Sequence, residues 1–174
     1  MKSFIGNNVA VIAWVIAAAV LAMSVYVWGD LRDWSFSNLN EFALFPVLGL
    51  IAFSLMWSHY IVAALKVYGD ASPESTRQFS DITSYIVLFA IITHPGLIIL
   101  RLNADGNGWP LNSFESYVAA DMIRFITLGL VAWIAFMAYE FKKFLHDTKA
   151  WPVIKVLNLL AMLAIFVPVS YTHL

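Results

Sequence analysis

The sequence predicts an all-α fold, a polytopic bundle of five transmembrane helices with its N-terminus in the cytoplasm. Three observations lead there. Residues 9 to 28, 43 to 65, 83 to 100, 118 to 141 and 153 to 172 are apolar runs at or near the length of about 20 residues that a bilayer-crossing helix requires. Charge is scarce: 12% of the 174 residues are charged and 61% are hydrophobic. A soluble domain carries about a quarter charged residues, so one small core could not hide this much apolar surface. Finally, the gaps between the runs hold turn chemistry, as in "GDLRDWSFSNLN", "YGDASPESTRQ", "NADGNGWPLNS" and "HDTKAWP". Mean hydropathy is +0.79.

The first run, "VAVIAWVIAAAVLAMSVYVW", is too long for the core of a signal peptide, and no small-residue cleavage site follows it. Pro46 stands near the start of the second run, where a missing N–H costs little. The third run carries "HPG" at 94 to 96, and the fourth holds Asp121 and Arg124. The fifth ends in "VSYTHL", a string resembling the translation of a transposase adapter used in sequencing libraries. On that reading residues 168 to 174 are non-native and a sixth span belongs to the full-length protein. The alternative is a fifth helix that simply ends in polar residues. No internal repeat or low-complexity tract occurs, and the whole chain reads as a single membrane domain.

Lysine and arginine set the orientation. Lys2, Lys66, Arg77, Lys142, Lys143, Lys149 and Lys155 fall on one side, and only Arg32 and Arg101 on the other. Cytoplasmic loops carry the excess of basic residues, so the N-terminus lies inside and the chain belongs to the plasma or inner membrane. Trp28, Trp34, Trp109 and Trp151 fall at the predicted interfaces, as an aromatic belt would place them. A net charge of -1 offers no basic patch for nucleic acid. The absence of cysteine excludes thiolate chemistry and disulfides.

Four histidines remain as candidates: His59, His94, His146 and His173. His146 falls in the basic cytoplasmic loop and His173 in the adapter-like tail. His59 and His94 lie within spans, where ionisable side chains mark functional sites by default but also serve as hydrogen-bonding glue between helices. His94 is followed by Pro95, which frees the carbonyl of Ile91, and by Gly96, which admits a helix or a flat ligand. Arg101 lies two turns further out on nearly the same face, and Arg124 begins deeper in the next span. A haem held by an axial histidine needs cations near its propionates, so this order suits haem b upright in the outer half of the bilayer. The plainer reading makes Arg101 an interfacial anchor and Arg124 a partner of Asp121.

The order of these features resembles the ferric reductase-like transmembrane domain, the haem b core of ferric reductases, NADPH oxidases and bacterial membrane cytochromes. "FPVLGLIAFSLMWSHYIVAALK" is similar to its opening helix, and "QFSDITSYIVLFAIITHPGLIILRL" to the next, in which two histidines lie thirteen or fourteen residues apart. His94 matches the outer one. Ser80 or Asp81 stands at the inner position. "KAWPVIKVLNLLAMLAIFV" is similar to a later helix, with Lys155 where its first histidine would be and the second falling at 168 or 169. The resemblance covers residues 43 to 167. It implies one outer haem ligated by His94, with Asp81 and Lys155 standing where inner ligands would be.

His59 lies in the cytoplasmic half of its helix, offset from His94 by roughly 7 Å by simple helix rise. It is expected to be a separate site or packing glue first, and a second iron ligand only after that. Trp57, Ser58 and Tyr60 around it suit a quinone or an interface. The function expected is an electron-transfer subunit, an oxidoreductase component passing electrons between a quinone or redox partner protein and an acceptor near the outer face. The alternatives are a small transporter or channel component and a cofactor-free membrane anchor.

Overall fold

The computed structural model describes residues 2–37, 39–109, 123–141 and 147–172, with the side chains of 2–3, 123–126 and 165–172 outside the description. All regular structure among these residues is helical. The elements are α1 (Lys2–Asp30), α2 (Glu41–Gly69), α3 (Arg77–Leu102), α4 (Ile123–Glu140) and α5 (Trp151–Thr172). A 3-10 turn, Pro73–Thr76, leads into α3, and a π-type turn, Asn103–Asn107, closes it. The first three helices are each long and apolar enough to cross a membrane. They overrun the expected spans at both ends, because polar termini continue the backbone hydrogen bonding past the apolar stretch.

The chain divides into two compact units, Met1–Ile98 and Ile99–Leu174. In the first, α1 packs on α2 along a strip of small residues. Val9, Ala13, Ala17 and Ser24 are all buried, at helical spacings that keep them on one face. Gly6 begins the strip. A Cβ there would lie 2.3 Å from the backbone oxygen of Gly69, so only glycine permits this approach. Further along, the Ser24 hydroxyl donates to Val20 O at 2.8 Å and meets the Ser54 hydroxyl at 3.0 Å. The Trp28 indole N–H donates to Ala43 O at 2.7 Å. Small residues let backbones close up, and hydroxyls bond across the gap, which is how helices associate without a hydrophobic driving force.

Local chemistry explains where the helices stop. After α1, Asp33 and Trp34 take left-handed conformations, with φ of 49° and 53°, and Trp34 N–H returns to Gly29 O at 2.8 Å. The Trp34 ring folds over Gly29, where a Cβ would come within 2.7 Å of it. Arg32 lies over the Trp28 ring at 5.6 Å and donates to Ser35 O and Ser37 O. The Asn40 side chain accepts the Ala43 N–H at 3.0 Å and caps α2. At the other end Asp70, with φ of 52°, turns its N–H back to Lys66 O and Val67 O. Arg77 pairs with Glu74 of the 3-10 turn at 3.4 Å and with Asp81 on its own helix at 3.9 Å, all exposed.

In the second unit α4 packs against α5, burying Ala132, Phe136, Asn158 and Met162. The Tyr139 and Trp151 rings stack at 5.5 Å where the two helices begin and end. Large apolar side chains elsewhere point outward, among them Val11, Val15 and Met23 on α1 and Tyr85, Phe89 and Ile92 on α3. For helices of this length the fitting solvent for such faces is hydrocarbon.

Candidate functional site

His59 and His94, the two histidines expected within spans, lie between α2 and α3, and each reaches across to the other helix. From α3, His94 Nδ1 lies 2.8 Å from Phe45 O. A carbonyl only accepts, so Nδ1 carries the hydrogen; in the neutral ring Nε2 is then the basic nitrogen. The imidazole stacks on the Phe45 ring, with centroids 3.8 Å apart and planes 16° from parallel. Its other neighbour is Gly49. A Cβ on Gly49 would sit 2.7 Å from His94 Cε1, 3.0 Å from Nδ1 and 3.4 Å from Nε2. The ring therefore occupies the space that any other residue at 49 would fill.

From α2, His59 Nε2 lies 2.5 Å from Thr83 Oγ1. The Thr83 hydroxyl donates to Phe79 O at 2.6 Å, so it accepts from His59, whose Nε2 carries the hydrogen. The two histidines are thus opposite tautomers: His94 offers Nε2 as its basic nitrogen and His59 offers Nδ1. The Phe79 ring stands edge-on to His59 at 5.6 Å and to Trp14 of α1 at the same distance, joining all three helices of the first unit.

The expected depth offset between the histidines needs correcting. Counting inward from the basic ends gives roughly 7 Å. But His59 is level with Thr83 and His94 with Phe45 and Gly49. Positions 83 and 94 on α3 differ by 11 residues, or about 16 Å at 1.5 Å per residue. The helices are staggered more than their charged ends suggest.

Gly96 does not share the surface of His94. Two positions on, it lies about 200° further around the helix. A Cβ there would meet nothing within 4 Å among the described residues. The seat for the imidazole is supplied by Gly49 of the facing helix instead. Pro46 lies inside α2, and the carbonyls of Ala43 and Phe45 near it take donors from Trp28 and His94.

Arg101 belongs to the second unit, and its Nε donates to Asp105 at 3.0 Å across one turn, with both side chains little more than a third exposed. Asp105 was not singled out in the sequence, although its i, i+4 spacing from Arg101 is the signal that could have found it. The Arg124 side chain, Asp121, His146 and His173 lie outside the described residues. Lys155 lies exposed on α5, in the second unit. Around His59, the Ser58 hydroxyl is buried and donates to Leu55 O at 2.6 Å. Trp57 lies edge-on to Phe53 and tilted to Tyr60, and its indole N–H is buried with no acceptor among the described residues. No group of three or more His, Asp or Glu side chains gathers as a metal cage among the described residues.

No family model, curated protein or solved structure matches the chain.

Proposed function

We propose that this chain is a haem b-binding integral membrane protein of ferric reductase-like type, with His94 as an axial ligand. It passes electrons between a quinone or redox partner and an acceptor near the outer face of the cell membrane. The observation that carries the reading is the His94 Nδ1–H bond to Phe45 O. Metal-ligating imidazoles characteristically donate their other ring N–H to a backbone carbonyl or carboxylate, which sets the tautomer and makes the ligating nitrogen more basic. Gly49 adds to the fit: its missing side chain lets the imidazole itself seat close against α2, which fixes where the ring is held. Haem, when bound, supplies one-electron chemistry, and the protein supplies ligation, orientation and a dry surround.

Arg101 serves in this reading as a cation near the propionates, although Asp105 already takes its Nε. Arg124 is proposed for the same role from the sequence alone. The buried Trp57 N–H, flanked by Phe53 and Tyr60, is the α2 group suited to a quinone carbonyl. His59 is assigned to helix glue before iron ligation, because Thr83 ties it to α3 well away from the His94 seat, although the bond leaves its Nδ1 basic.

A second reading is a cofactor-free membrane anchor. The same His59–Thr83 bond favours it, since an imidazole held between two helices serves as an interhelical tie. An absorption spectrum separates the two. Purified full-length protein is expected to give reduced-minus-oxidised Soret and α-bands that His94→Ala abolishes and His59→Ala retains. Loss of the bands in both variants would assign His59 to the iron as well. No bands in the unaltered protein would favour the anchor.

A further inference from the structure

Chemistry at position 94 depends on which imidazole nitrogen is basic and on where the ring is held, and both are decided by α2. We infer that Gly49 and Phe45 are positioning residues that seat the His94 ring and select its Nδ1–H tautomer. The inference deepens the haem reading and rests on it for its purpose, but its geometry stands without haem.

Three independent contacts converge on one ring. The Phe45 carbonyl takes the Nδ1 hydrogen at 2.8 Å. The Phe45 side chain stacks on one imidazole face at 3.8 Å. The backbone at Gly49 admits the Nδ1–Cε1–Nε2 edge so closely that a Cβ would stand 2.7 Å from Cε1. Real Cβ atoms are not found at such distances, so any side chain at 49 must push the ring away from α2. Because the carbonyl that holds the hydrogen lies one turn before Gly49, displacing the ring also opens the Nδ1–H bond. Without it the two neutral tautomers differ little, and the selection of Nε2 as the basic nitrogen is lost. A steric change at 49 is therefore read out as a chemical change at 94.

The test uses full-length protein with 15N-labelled histidine in lipid nanodiscs, the His94 signals being assigned by their absence in His94→Ala. The unaltered protein is expected to show a protonated Nδ1 and an unprotonated Nε2 at His94. Gly49→Ala should mix the tautomers, and Gly96→Ala should leave them alone, because a Cβ at 96 meets nothing within 4 Å among the described residues. Phe45→Leu keeps the carbonyl while removing the stack. It should hold the tautomer but quicken ring motion, and it serves if Gly49→Ala does not fold. In parallel, haem affinity is expected to fall about tenfold in Gly49→Ala, the lower end of what disturbing a ligand's supporting shell costs. An unchanged tautomer pattern in Gly49→Ala, or one that changes equally in Gly96→Ala, overturns the inference. A Phe45→Leu spectrum identical in ring motion to the unaltered protein does the same. Protein that binds no haem at all yet shows the Gly49→Ala tautomer change would overturn the haem reading and leave the seat intact.

Discussion

Glycine at position 6 meets backbone, and backbone cannot step aside. Gly6→Ala is therefore expected to weaken the α1–α2 crossing by about 1–3 kcal/mol, the usual cost of overpacking. Gly129→Ala should be close to neutral, because a Cβ there has nothing within 4 Å among the described residues. Denaturant titration in detergent micelles compares the two, and equal midpoints would show that α1 and α2 do not close up as described. Thr83 offers a second test. Thr83→Val keeps the shape but leaves the His59 N–H without its acceptor, which should cost about 1–3 kcal/mol. Thr83→Ser should recover most of that in the same titration.

That His94 would find a partner was readable from sequence, because an imidazole in an apolar run must have one. Its partner was not. Phe45 and Gly49 are ordinary in their own segment and become a seat only when two antiparallel helices are set at one particular stagger. Neither Gly6 nor Thr83 gives more signal than any small or hydroxyl residue in a span. Asp81 shows the converse. Its pairing with Arg77, one turn away on its own helix, is written in the i, i+4 spacing. Local spacing is legible along a chain, and approach between distant segments is not.

Among the elements, α2 has the most plainly written boundaries. Asn40 precedes it as a cap, Glu41 places an acid in its first turn, and Asp70 ends it in a left-handed conformation. Asn40→Ala should lower stability by about 1 kcal/mol, a typical loss for a removed cap, and helicity at the start of α2 should fray in amide exchange. If exchange there is unchanged, the cap is ornamental. The ends of α1 were harder to foresee. Two successive left-handed non-glycine residues, Asp33 and Trp34, close it, and no sequence rule anticipates a tryptophan in that conformation. What stabilises it is the fold-back of its own ring over Gly29.

For the molecule as a whole, the helical class and the membrane-compatible length of the first three helices follow from long apolar runs, the strongest pattern a sequence carries. Orientation rests on basic residues alone, and the chain is suited to testing it because it has no cysteine of its own. Ser37 and Ser72 are exposed at opposite ends of α2. Ser37→Cys in intact cells should react with a membrane-impermeant maleimide, and Ser72→Cys should react only after the cells are opened. The reverse pattern would place the N-terminus outside.

The two histidine ties between α2 and α3 have a mechanical consequence. They are donated in opposite directions, one from each helix, and stand about 16 Å apart along the pair. A beam held by one bolt can pivot, but a beam held by two cannot pivot or slide. Piston-like travel of α2 along α3 must break both ties in the same event. With both ties made, α2 and α3 flex together as one plank. Cutting either tie alone should free a rocking motion, and only cutting both should let the helices slip by a full turn.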